Sequence, residues 1–105
     1  MSDQLPKPFV QMREDYPQIA AAYDSLGEAA GAAGPLDETS QHLVKLGMSI
    51  AAGLEGAAHS HTRRALEAGA SPETIRQVAL LAITTLGLPR AMMGLTWIND
   101  ILDAK

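Results

Sequence analysis

Apolar positions in this chain recur at intervals of three and four residues rather than two, and Gly and Pro cut the pattern into segments of helical length. Strand-like alternation is absent and there is no internal repeat. The pattern therefore predicts an all-α fold, a helical bundle of about five helices. Residues 1–14 carry two prolines and mixed charge, which reads as an extended N-terminal arm of the kind that packs on a neighbouring subunit. Pro17 suits the first turn of a helix over 16–28, with Ile19, Tyr23 and Leu26 on one side. The Gly/Ala-rich run 27–35 then reads as a frayed helix end and linker.

Asp37 is placed to cap a helix over 38–52, because its carboxylate can accept from unpaired first-turn amides. Leu43, Leu46, Gly47, Ile50 and Ala51 form the buried stripe of that helix. Gly53 and Gly56 bracket a break, and a third helix runs over 55–68 with Gly69 at its end. Ser71 caps the next helix, 72–86, with Pro72 at its first position. Its second half is apolar nearly all round, which predicts burial on every side and, in so small a chain, an oligomer interface. Gly87-Leu88-Pro89 turns the chain into a last helix over 90–103, with Ala91, Met92, Leu95, Ile98 and Leu102 inward and Trp97 on the flank.

On the helix 55–68 and its N-terminal flank, positions 54, 57, 58, 61, 65 and 68 share one face, and His61 is the single polar group on it. An imidazole on an alanine-lined face either satisfies both nitrogens structurally or is available to a ligand in a nearly dry site. Length adds that 105 residues make one domain, 15–105, behind the arm. The net charge of −4 with interspersed acids and bases argues against a nucleic-acid partner. With no apolar run of membrane-spanning length and no basic leader before an apolar stretch in residues 1–8, a soluble cytoplasmic protein is expected, with no membrane partner. The absence of cysteine removes disulfides, thiolate metal sites and thiol redox chemistry of the protein's own.

The run from His61 through Arg64-Ala65-Leu66-Glu67-Ala68-Gly69-Ala70 to Ser71-Pro72-Glu73, continuing into the apolar helix and its Gly87-Leu88-Pro89 turn, carries a resemblance. Over about residues 36–102 the chain resembles the carboxymuconolactone decarboxylase and alkylhydroperoxidase D superfamily, as a cysteine-free member. The resemblance implies that superfamily's helical bundle assembled as a homo-oligomer, a trimer or hexamer. In the peroxidase branch the catalytic helix opens with Cys-x-x-Cys-x-x-x-His, and spacing back from His61 sets those cysteines at Leu54 and Ala57. Neither side chain forms a thiolate, so dithiol peroxidase activity is not expected. The branch also has a helper acid in the preceding helix, and the matching triplet here is Gln41-His42-Leu43. The resemblance therefore directs His42 and His61 into one pocket, as an imidazole pair competent in acid and base chemistry. The plainer alternative makes His42 a half-exposed flank residue beside Lys45 and Ser49.

The decarboxylase branch keeps a histidine at position 61 but has an acidic residue where Ala57 stands, and a carboxylated lactone would need Arg63, Arg64 or Arg90. His59 and His61 point about 200° apart on a helix, so His-x-His does not chelate here, and no metal or other cofactor is expected. Ser49 and Ser60 lack a Gly-x-Ser-x-Gly elbow. Met92, Met93 and Trp97 read as core or as walls of an apolar pocket. The expected site is thus catalytic His61 and His42, with Leu54, Ala57, Ala58, Met92, Trp97 and Arg90 around a small-molecule substrate. Two functions follow from this reading. The first is cofactor-independent acid–base chemistry of lyase or isomerase type on a lactone or enolisable acid. The other is a non-catalytic subunit that binds a small apolar ligand or serves assembly.

Overall fold

The structure, a computed structural model, describes residues 5–104. Six α-helices and no strand occur among the described residues, in two compact units divided between Leu36 and Asp37.

The first unit holds α1 (Lys7–Asp15) and α2 (Pro17–Ala32). The extended arm expected here is instead largely helical from Lys7 on; residues 1–4 of that arm lie outside the described residues. The physical reason is the position of the prolines. Pro6 precedes the helix and Pro8 falls in its first turn, where the missing N–H and fixed φ cost nothing. The two helices are stapled by a forked ion pair, Arg13 Nη1 to Asp24 Oδ1 at 3.0 Å with Nη2 on Oδ2, and by an edge-on Phe9–Tyr23 contact at 6.2 Å. Helix α2 runs four residues past the expected 28, since alanines sustain a helix and a lone glycine only weakens it.

The second unit holds α3 (Glu38–Ala52), α4 (Glu55–Glu67), α5 (Pro72–Leu86) and α6 (Leu88–Leu102). Asp37 accepts from the Ser40 amide at 2.7 Å and Ser71 accepts from the Thr74 amide at 3.1 Å, so both helices start where their caps are written. Gly53 ends α3 at φ +72°, in the left-handed region that glycine enters without strain. Leu46 and Ile50 of α3 meet Ala58 and Ala65 of α4, Ile75 and Ala79 of α5, and Trp97 and Ile98 of α6 in one core.

Three stripes differ from expectation. On α3, Ser49 is buried and Ala51 exposed, because the Ser49 hydroxyl donates to the Lys45 carbonyl at 2.7 Å and so enters the interior satisfied. On α4 the buried line is Ala58, Thr62 and Ala65, one residue round from His61, with Thr62 Oγ1 donating to the Ala58 carbonyl at 2.8 Å. On α6 the buried line is Ala91, Gly94, Trp97 and Ile98, so Trp97 is core rather than flank and Met92 is exposed. Gly94 sets that rotation by letting α6 approach Ile50 with no side chain between. Helix α5 buries Ile75, Ala79 and Ala82 but leaves Leu80 and Leu81 more than half exposed, so its own unit covers one side of its second half and not every side.

Candidate functional site

Helices α3 and α4 run antiparallel around the Gly53 turn, as the pairings of Thr39 with Ala68 and of His42 with His61 show. The Thr39 hydroxyl donates to the Ala68 carbonyl at 3.0 Å, closing the open end of this hairpin. One turn further along, His42 Nδ1 and His61 Nδ1 stand 3.3 Å apart, with ring centroids at 5.5 Å and planes inclined by 32°. A contact between two imidazole nitrogens requires one to carry a proton and the other a lone pair.

Both rings are held below the ordinary histidine range. Burial pushes His61 down to about 4, helped by neighbouring His42 and by the positive charges of Arg64 and Lys45. Burial also lowers His42, with Arg64 and Lys45 acting in the same direction and Glu38 and Glu67 opposing. The pair is therefore neutral at pH 7, one proton on each ring, which is the state able both to take and to give a proton.

Glu38, His42, Arg64, Glu67 and Ala68 line an open depression of about 350 Å³ on the His42 side of the pair, and His61 is not among its lining residues. The walls expected from the sequence lie elsewhere. Leu54 is exposed at the α4 N-cap, Ala57 is half-buried, and Ala58 and Trp97 are inside the core. Met92 is exposed, and Arg90 lies over Gly53, its guanidinium filling the space a Cβ there would need. None of these six lines the depression. His59 Nε2 sits 3.0 Å from Asp100 Oδ2 on α6, occupied in a pair of its own away from His61. Among the described residues no group of three or more His, Asp or Glu side chains is gathered as a metal site.

Sequence reasoning missed Glu38 and Glu67 as neighbours of the histidines. The signal was present as the spacings Glu38–His42 (i, i+4) and Arg64–Glu67 (i, i+3), which set each pair on one helix face.

The carboxymuconolactone decarboxylase family model matches residues 17–100, most of the chain and the whole of the α3–α4 hairpin. The chain belongs to the carboxymuconolactone decarboxylase family. Its fold is similar to that of a carboxymuconolactone decarboxylase family protein from Legionella pneumophila solved in its apo form. The TM-score is 0.80 at 20% identity, over 91% of this chain and 86% of that one. At that identity the likeness is one of fold. No curated protein matches the chain. Within the carboxymuconolactone decarboxylase fold, then, this member brings two imidazoles together across α3 and α4 and carries no cysteine anywhere in its sequence.

Proposed function

We propose that this carboxymuconolactone decarboxylase family member is a cytoplasmic, cofactor-independent enzyme that moves protons on a small lactone or enolisable acid, with His61 and His42 as its acid and base. The observation that supports the reading is the 3.3 Å contact between two imidazoles that are both kept neutral by burial. A neutral ring can remove a proton next to a carbonyl, and its partner, already within hydrogen-bond reach, shares the charge that results. Arg64, whose positive charge is felt by both rings, supplies attraction for a substrate carboxylate. With no cysteine in the chain, the chemistry proceeds without a thiol of the protein's own.

Deuterium uptake tests this directly. Incubated in D2O with a panel of 2-oxo acids, 3-oxo acids and unsaturated lactones, the protein is expected to speed exchange at the acidic carbon of at least one compound, followed by proton NMR. Exchange no faster than in buffer across the panel would discard catalysis in favour of the ligand-binding or assembly reading.

The same reading has the chain work as a homo-oligomer, because Leu80, Leu81, Leu88 and Met92 of α5 and α6 stay about half exposed or more, and a lone copy leaves them in water. Native mass spectrometry is expected to show a trimer or a hexamer. A monomer at micromolar concentration would remove the interface from the reading.

A further inference from the structure

Two neutral imidazoles joined through their Nδ1 atoms have two possible proton arrangements, and the surroundings of the pair are not symmetric. His42 Nε2 lies 4.0 Å from Oε1 of Glu38, one helical turn earlier on α3. If His42 donated from Nδ1, its Nε2 lone pair would face that carboxylate, two electron-rich atoms opposed. If His42 instead carries its proton on Nε2, a positive N–H edge faces the negative oxygen. Glu38 is on this face by construction, since it opens α3 directly after the Asp37 cap and residues four apart share a side. Lys45 on α3 and Arg64 and Glu67 on α4 are the other charges that act on the rings, and none makes a hydrogen bond to a ring nitrogen.

At the far end of the pair, His61 Nε2 has no protein partner. Among the described residues no fully buried side-chain nitrogen or oxygen lacks a hydrogen bond, so this atom is not sealed from solvent.

We propose that Glu38 gives the pair a fixed proton polarity: His42 holds its proton on Nε2, His61 donates from Nδ1 to His42 Nδ1, and His61 Nε2 is left as the bare base. Glu38 is thus a positioning residue that acts through His42. What the polarity is for rests on the proposed acid–base function, while the polarity itself is a property of the free protein. In the proton step, the C–H bond of the substrate breaks, its electron pair stays behind as the enolate, and the proton goes to His61 Nε2. His61 passes its Nδ1 proton to His42 Nδ1, so the positive charge ends on the ring that faces the Glu38 carboxylate. Return of the proton to carbon runs the same steps backwards.

Long-range 15N–1H NMR of 15N-histidine-labelled protein at pH 7 reads each ring nitrogen as protonated or bare, with His42→Gln and His61→Gln for assignment. The expected wild-type pattern is protonated His42 Nε2 and His61 Nδ1, with His42 Nδ1 and His61 Nε2 bare. Glu38 is 79% exposed, so its substitution leaves the fold intact. Glu38→Ala is expected to raise the minor arrangement several-fold, and Glu38→Lys to make it the major one. A wild type with the proton on His42 Nδ1, an even mixture in the wild type, or Glu38→Ala and Glu38→Lys spectra identical to the wild type would each overturn the proposal. No substrate enters the measurement. Absence of exchange activity would therefore sink the proposed function and leave the polarity standing, and a wrong tautomer would do the reverse.

Discussion

His61→Gln is expected to lower catalysed deuterium exchange by about 10²-fold to 10⁴-fold, the range lost when a positioned general base is removed, while the far-UV circular dichroism stays unchanged. Glutamine keeps a hydrogen-bonding group near His42 but has no basic nitrogen, so the change isolates proton transfer from packing. The pH profile makes the same point. Burial holds both rings below the ordinary histidine value, and protonation of either one stops the relay, so the free protein should hold its rate through about pH 6.5 and lose it about tenfold per unit once the first ring of the pair takes a proton. An acid limb at the ordinary histidine value near 6.5, or a His61→Gln protein as active as the wild type, would remove His61 from the reaction.

Stability must follow the same ring. The folded value lies below the unfolded one, so between them the unfolded chain binds the extra proton and the folded chain does not. The contribution of His61 to stability is therefore full above about 6.5 and is lost as pH falls toward 4. His61→Gln should flatten that part of the stability curve.

The sequence is most legible where a helix is bounded by chemistry rather than by hydrophobicity. Helices α3 and α5 begin and end at 38–52 and 72–86 as expected, because Asp37, Gly53, Ser71 and Pro72 each act on their own backbone and need no tertiary partner. The hairpin of α1 and α2 was less legible, since Pro6 and Pro8 read equally as breaker and as starter until the turn they occupy is known. Facing was harder still. A stripe drawn from hydrophobicity ranks Met92 above Gly94 and sets Ala57 and His61 above Thr62. The interior instead selects for close approach at Gly94 and for a threonine that can bond its own helix.

The site divides along the same line. That His42 and His61 share a pocket came from the resemblance, which sets them on packed helices, and not from any periodicity within one helix. Their charged neighbours, Glu38 and Glu67, went unread as part of the site because nothing but helical spacing marks them. Spacing within α3 sets Glu38 beside His42, and the antiparallel register of α3 against α4 adds Arg64 and Glu67 of α4 to the same depression.

Helix α6 closes the same core against α3, and Gly94 is the place to test how closely it seats. A Cβ built on Gly94 would lie 2.8 Å from both Cδ1 and Cγ2 of Ile50 and 2.9 Å from its Cγ1. Three atoms of one fully buried, β-branched side chain cannot all retreat by changing a single rotamer. Gly94→Val should therefore cost about 3 kcal/mol, the upper end of the usual overpacking range, because the helix must lift off the core to admit it. Gly94→Ala should cost less, since the better helix propensity of alanine returns about 1 kcal/mol. Urea denaturation of both variants checks the order. Pairing Gly94→Val with Ile50→Ala opens space for the added methyls, so the double variant should be more stable than the sum of the two single losses predicts. Additive losses would mean that the two side chains do not compete for this space, and the close seating of α6 on α3 would lose its explanation.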